Sequence, residues 1–178
     1  MRVLLSSVVL AALILIGGAV GFVYSGLYDV GASTPHWPLT TWALNNARLR
    51  SIEAHAAGIK PQAGYDSPAQ IAIGVDHFAA HCAVCHGAPG VPRGTIAKGL
   101  YPLPPDLAVS VKQYTPGELF WILKHGIKMT GMPSWADHSD DELWATVGFL
   151  EQLPGMSEQD YAKQLMAALA HGGHHHSD

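Results

Sequence analysis

From Val3 to Tyr24 no position is charged and almost every one is apolar, a pattern with no polar face. At a rise of about 1.5 Å per residue the stretch predicts about 33 Å of helix, enough to cross a hydrocarbon core of about 30 Å. The apolar region of a cleaved signal usually runs about 7–15 residues. This one is longer, and the segment Gly17–Gly21 with Ala19 offers only a weak cleavage site, so the expected form is a retained anchor. Arg2 precedes the segment and Asp29 follows it, which by the positive-inside rule leaves the N-terminus in the cytoplasm and the rest outside. Tyr24 and Tyr28 suit an interfacial aromatic belt.

Beyond the anchor the pattern becomes helical in pieces. Gly26, Gly31, Ser33, Pro35 and Pro38 mark a stalk. Residues 41–57 carry few breakers and predict a helix that Gly58 stops, followed by a linker from Lys60 to Ser67. Ser67 as N-cap and Pro68 at the first helical position then open a helix. Ile71, Val75, Phe78 and Cys82 give it one buried face. Residues 87–114 hold four glycines and five prolines and read as a long irregular stretch, which a compact domain keeps only when something organises it. Thr115 and Glu118 are spaced for a capping box, and Leu119, Ile122 and Leu123 form an apolar side before Gly126. Ser139 and the acids at 140–142 start a further helix, with Leu143, Val147 and Leu150 inward and Pro154-Gly155 closing it. Residues 157–171 predict a last helix. With no internal repeat and no alternating β pattern, the expected class is all-α.

Composition narrows the partners. Apolar residues are 48% and charged ones 13%, which excludes a disordered polyelectrolyte. The 178 residues fit one domain with length left for an anchor. A net charge of −4 without a basic stripe excludes nucleic acid as a partner. The two cysteines, Cys82 and Cys85, cannot make a disulfide scaffold, so their role is local.

That role is written in Cys82-Ala83-Val84-Cys85-His86, the attachment pattern of a c-type haem. Two thiols three residues apart near a helix end can each add to one vinyl group of a porphyrin, and the next residue, His86, can then ligate the iron. A redox dithiol would need a βαβ context, and a thiolate zinc site would want a second cysteine pair. For the sixth ligand Met132, in Gly131-Met132-Pro133, is preferred: it lies in a loop between two helices, and the following proline limits that loop. Met129 is the alternative, better read as a core gap-filler.

Residues 67–154 resemble a class I, mitochondrial-cytochrome-like c-type cytochrome. The likeness extends beyond the haem motif to Gly74 and Phe78 before it, to Phe149-Leu150, and to Pro105-Asp106-Leu107. It implies three main helices wrapped around one covalent haem c, here preceded by a single transmembrane helix. It further implies that Gly74 admits the last helix, that the Pro105 carbonyl accepts a hydrogen bond from the His86 imidazole, and that Met132 is the distal ligand. Arg93 and Trp135 are candidates for hydrogen bonds to a haem propionate. The porphyrin would also supply the apolar surface that the irregular stretch wraps.

The expected organisation is therefore 1–24 anchor, 25–66 stalk with a helical segment, 67–154 cytochrome domain, and 155–178 helix and His-rich tail. The helical segment could dock on the domain or on another protein. Among the other histidines, His77 and His81 are four apart on a helix, a spacing that can bind metal. With no third ligand in view they read as exposed or semi-exposed, and His125 and His138 as surface groups. His36 reads as part of an interfacial anchor, with a partner subunit or quinone head group the less favoured alternative; His171, His174, His175 and His176 read as a flexible tail. The expected function is a one-electron carrier, not an enzyme, in the inner membrane with its haem domain on the periplasmic side. A quinol-oxidising complex or a dehydrogenase would donate, and a soluble cytochrome or a terminal oxidase would accept, with membership of such a complex as one form. A five-coordinate, peroxidase-like enzyme and a haem-based sensor are the alternatives.

Overall fold

The computed structural model describes residues 1–171 and divides into two compact units, Met1–His36 and Trp37–Asp178. In the first, α1 (Arg2–Tyr24) is one continuous helix with no buried residue. The helix is long and apolar enough to span a membrane. Its two hydroxyls stay inside their own helix: Ser6 and Ser7 donate to the carbonyls of Arg2 and Val3, 3.0 Å each. Satisfying polar groups within the segment is what a lipid surrounding demands. Beyond α1, the Tyr28 hydroxyl lies 2.7 Å from His36 Nδ1.

The second unit is helical, without strands among the described residues. It opens with α2 (Pro38–Ala56), which starts three residues earlier than its apolar pattern suggests because Pro38 sits at the first helical position. Its buried residues are Ile52 and Ala56. Arg48 Nη1 reaches the Tyr114 hydroxyl at 3.5 Å, and the His55 ring lies 5.6 Å from that of Trp121. Just beyond α2, the Ile59 carbonyl packs on Gly117, where a Cβ would stand 2.6 Å from that oxygen. Of the two docking alternatives the structure shows the first: this segment lies on its own domain.

Next come α3 (Pro68–His77), a π-helical turn (Phe78–Cys82) and α4 (Ala83–His86). The apolar spacing predicts one helix here; the structure divides it with the π turn. The Ser67 hydroxyl accepts from Gln70 N as the N-cap reading requires. The irregular stretch after α4 holds two short helices, α5 (Thr95–Lys98) and α6 (Leu107–Ser110), and a 3₁₀ turn (Val111–Gln113). The expected capping box closes at Thr115–Glu118 on α7 (Pro116–His125), and a second one forms at Ser139–Glu142 on α8 (Asp140–Leu150). The last described element is α9 (Glu158–His171). The tail residues His174, His175 and His176 lie outside the described residues.

The core forms where α3 crosses α8. Phe78 and Phe149, both fully buried, meet with ring centroids 5.1 Å apart, and Tyr161 of α9 closes over the pair at 6.3 and 6.2 Å. On the other side of α8, Trp144 stacks on Phe120 of α7 at 4.4 Å. The crossing needs Gly74. A Cβ there would fall on the Ala145 carbonyl oxygen and 3.0 Å from Phe149 Cβ. Because the obstacle is backbone, no rotamer change relieves it. Gly74→Ala is therefore expected to destabilise the holoprotein by about 3 kcal/mol, the upper end of overpacking costs, read from its guanidinium midpoint.

Candidate functional site

The cysteines and His86 sit where the π turn hands over to α4. Cys82 is buried and Cys85 half-buried, and the two thiols are not joined to each other. Burial pushes the Cys82 thiol up to about 12, with the neighbouring Cys85 adding to the shift. A thiol so reluctant to ionise is a poor redox nucleophile and a poor zinc ligand.

His86 is oriented by the backbone. Its Nδ1 donates to the Pro105 carbonyl oxygen at 2.9 Å, nineteen residues on. With the proton committed to Nδ1, the lone pair stays on Nε2, the atom a metal would take. Burial is the main force holding the imidazolium form below its ordinary pKa, and the Arg93 charge acts in the same direction; the Pro105 hydrogen bond opposes them. The balance favours the neutral ring. The loop that supplies Pro105 is itself tied down: the Asp106 carboxylate accepts from Ala108 N at 2.9 Å and caps α6.

The surroundings of His86 fit a haem. Beside it lies a cavity of about 390 Å³ lined by Gly87, Pro92, Arg93, Leu107 and Met156 among others. Arg93 Nε and Trp135 Nε1 are buried donors that find no acceptor among the described residues. Buried donors are rarely left so, and the two propionate carboxylates of a haem would satisfy them. Gly87 adopts a φ of +75° directly after His86, where a Cβ would stand 2.9 Å from the Val91 carbonyl. Only glycine turns the chain this sharply there.

The loop carrying Met132 is held at several points. Thr130 Oγ1 donates to the Ile127 carbonyl at 2.8 Å and accepts from Met132 N at 3.1 Å, while the Met132 carbonyl accepts from Ile127 N at 3.1 Å. Ser134 donates to the Lys124 carbonyl at 2.7 Å, and Trp135 N to the Leu123 carbonyl at 3.2 Å. Met132 is half-buried against the core. Met129 is not the core gap-filler its residue type suggests: it is 81% exposed, on a backbone with φ of +60°.

The histidines depart most from the sequence reading. His77 is buried at 5% exposure, not on the surface. Its Nε2 lies 3.2 Å from Nδ1 of His138, and the His81 ring is 4.7 Å from its own, centroid to centroid. His138, read as a surface group, is thus the third member of a cluster. Sequence spacing carried half the signal, the four-residue interval of His77 and His81, but no local pattern could bring in His138 from 61 residues away. His125 is exposed, with its ring 5.1 Å from that of Trp121.

Comparison with curated proteins gave no match. Residues 69–150 match the family described as cytochrome C oxidase, cbb3-type, subunit III. The matched stretch runs from the start of α3 to the end of α8, and so encloses Cys82, Cys85, His86 and Met132. Cytochrome c domains of this kind bind haem c and carry electrons. Residues 69–150 are therefore a class I cytochrome c domain of that family, in a chain whose N-terminal helix is long and apolar enough to cross a membrane.

Proposed function

We propose that the chain is a membrane-anchored carrier of single electrons with one haem per domain, ligated by His86 and Met132. The observation that carries this reading is the His86–Pro105 hydrogen bond, which commits Nδ1 and leaves Nε2 for a metal on the residue directly after the Cys82/Cys85 pair. When bound, haem supplies a ferric–ferrous couple that exchanges one electron without bond changes in a substrate. The polypeptide does the rest. Cys82 and Cys85 would hold the group covalently, and the Pro105 carbonyl orients the His86 ring that would ligate it. Arg93 and Trp135 would donate to its carboxylates, and the Met132 loop would supply the thioether ligand. A soft thioether there favours the reduced state and raises the potential.

The enzyme alternative needs an open distal face served by His125 or His138. His125 is exposed beside Trp121, and His138 faces His77, contacts that favour the carrier over the enzyme. The family supports a place in or near an oxidase complex. On that reading a quinol-oxidising complex or a periplasmic dehydrogenase donates, and a terminal oxidase or soluble cytochrome accepts. The anchor would raise the local concentration of the domain beside such membrane partners.

Two measurements test the reading. Protein matured with haem should give a low-spin spectrum, one haem per chain and a reversible one-electron titration; a high-spin ferric spectrum would transfer the argument to the enzyme alternative. Exchanging residues 1–24 for a cleavable export signal should move the pigment from the detergent-extracted membrane to the soluble periplasmic fraction. If the unaltered chain is already soluble, α1 is not an anchor.

A further inference from the structure

We propose that His77, His81 and His138 form a second metal centre, a three-imidazole site for a divalent ion of the zinc and copper class, separate from the haem ligands. Each ring offers one nitrogen, and the three nitrogens lie within 4.8 Å of one another. The separation of His77 Nε2 and His138 Nδ1 is 3.2 Å. Two imidazole nitrogens at about 2.0–2.1 Å from one tetrahedral ion would stand about 3.3 Å apart. That pair is already at ligand spacing.

The tautomer of His77 is set by its neighbour. Thr146, fully buried, has a single hydroxyl proton, which it donates to the Glu142 carbonyl at 2.8 Å. Its oxygen, 3.0 Å from His77 Nδ1, can then only accept. His77 therefore carries its proton on Nδ1 and turns a lone pair on Nε2 toward His138. A ligating histidine steadied through its other nitrogen is the usual arrangement around protein-bound metals.

The three donors come from separate pieces of the fold. His77 ends α3, His81 belongs to the π turn, and His138 precedes α8. The Trp135 ring covers them, with centroids 5.9, 5.0 and 5.4 Å from those of His77, His81 and His138. Three nitrogen ligands leave a fourth position for water or another small donor, as in open zinc sites. The same set would hold Cu²⁺ more tightly than Zn²⁺, following the stability order of divalent ions.

The test uses the holocytochrome carrying His174→Ala, His175→Ala and His176→Ala, so that the tail adds no binding. After chelator treatment it is dialysed against Zn²⁺, and zinc and haem iron are counted together. One tightly held zinc per haem is expected. His138→Ala, a change in a loop, should keep the haem spectrum and weaken zinc binding by about 100-fold or more. Thr146→Val should weaken it by about 10- to 100-fold, the range for lost supporting hydrogen bonds, and Thr146→Ser should restore it. No bound zinc in the tail variant, or zinc binding unchanged by His138→Ala in protein with an intact haem spectrum, overturns the proposal. Either result leaves the cytochrome reading intact, because the haem bands are recorded on the same samples.

Discussion

In the Cys82→Ala/Cys85→Ala double variant all of the haem is expected in the acid-acetone extract, and none with the polypeptide. The effect should reach well beyond the site. Between residues 87 and 110 the buried positions are only Ala97 and Pro104. A stretch this poor in buried side chains has little of its own to fold around; what it can enclose is a porphyrin. Without a covalent link, the group is held by one or two axial bonds and by contacts that this same stretch must provide. The double variant is therefore expected to become protease-sensitive within residues 87–114, while α3, α8 and the Phe78–Phe149 contact persist longer. Limited proteolysis followed by mass analysis would show where the chain is cut. Pigment that stays bound through acid-acetone in the double variant would refute thioether attachment.

Met132→Ala is expected to abolish the near-infrared sulfur-to-iron band, open the reduced iron to carbon monoxide and lower the potential. Axial ligands move haem potentials over about 0.8 V in all, so a drop on the order of 0.2 V is a reasonable size for the loss of one thioether. Met129→Ala should leave all three properties unchanged. The contrast rests on exposure: Met132 packs against the core, whereas Met129 stands 81% in solvent. The opposite outcome for the two variants would assign the distal bond to Met129.

Local signals in the sequence carried the helix starts with little loss. A serine or threonine three residues before a glutamate makes its own hydrogen bonds, so the caps at Ser139 and Thr115 needed no tertiary information. The haem motif was equally plain, because covalent attachment fixes its spacing. The two phenylalanines and Gly74 at the α3–α8 crossing were legible through family resemblance, though local pattern alone does not join positions so far apart. What stayed hidden was set by long-range packing. Burial of His77 depends on Thr146 and His138, which no periodicity links to it. The short helices α5 and α6 lie in a stretch whose prolines and glycines mask any periodicity. The exposure of Met129 follows from its left-handed backbone, which a non-glycine residue does not announce.

The π turn between α3 and α4 also escaped the apolar pattern, and it sets the phase of the whole element. Each residue of an ordinary α-helix advances the chain by about 100°, so the wider turn at Phe78–Cys82 absorbs one residue's worth of rotation. Upstream, Gly74 must face the Ala145 backbone; downstream, the thiols and the His86 ring must face their own target. A straight rod with the same number of residues could not aim both. Adding one further alanine after Ala80, with no second wide turn to absorb it, would swing one half about a quarter of a revolution against the other, so the length of this turn is as much a part of the motif as its cysteines.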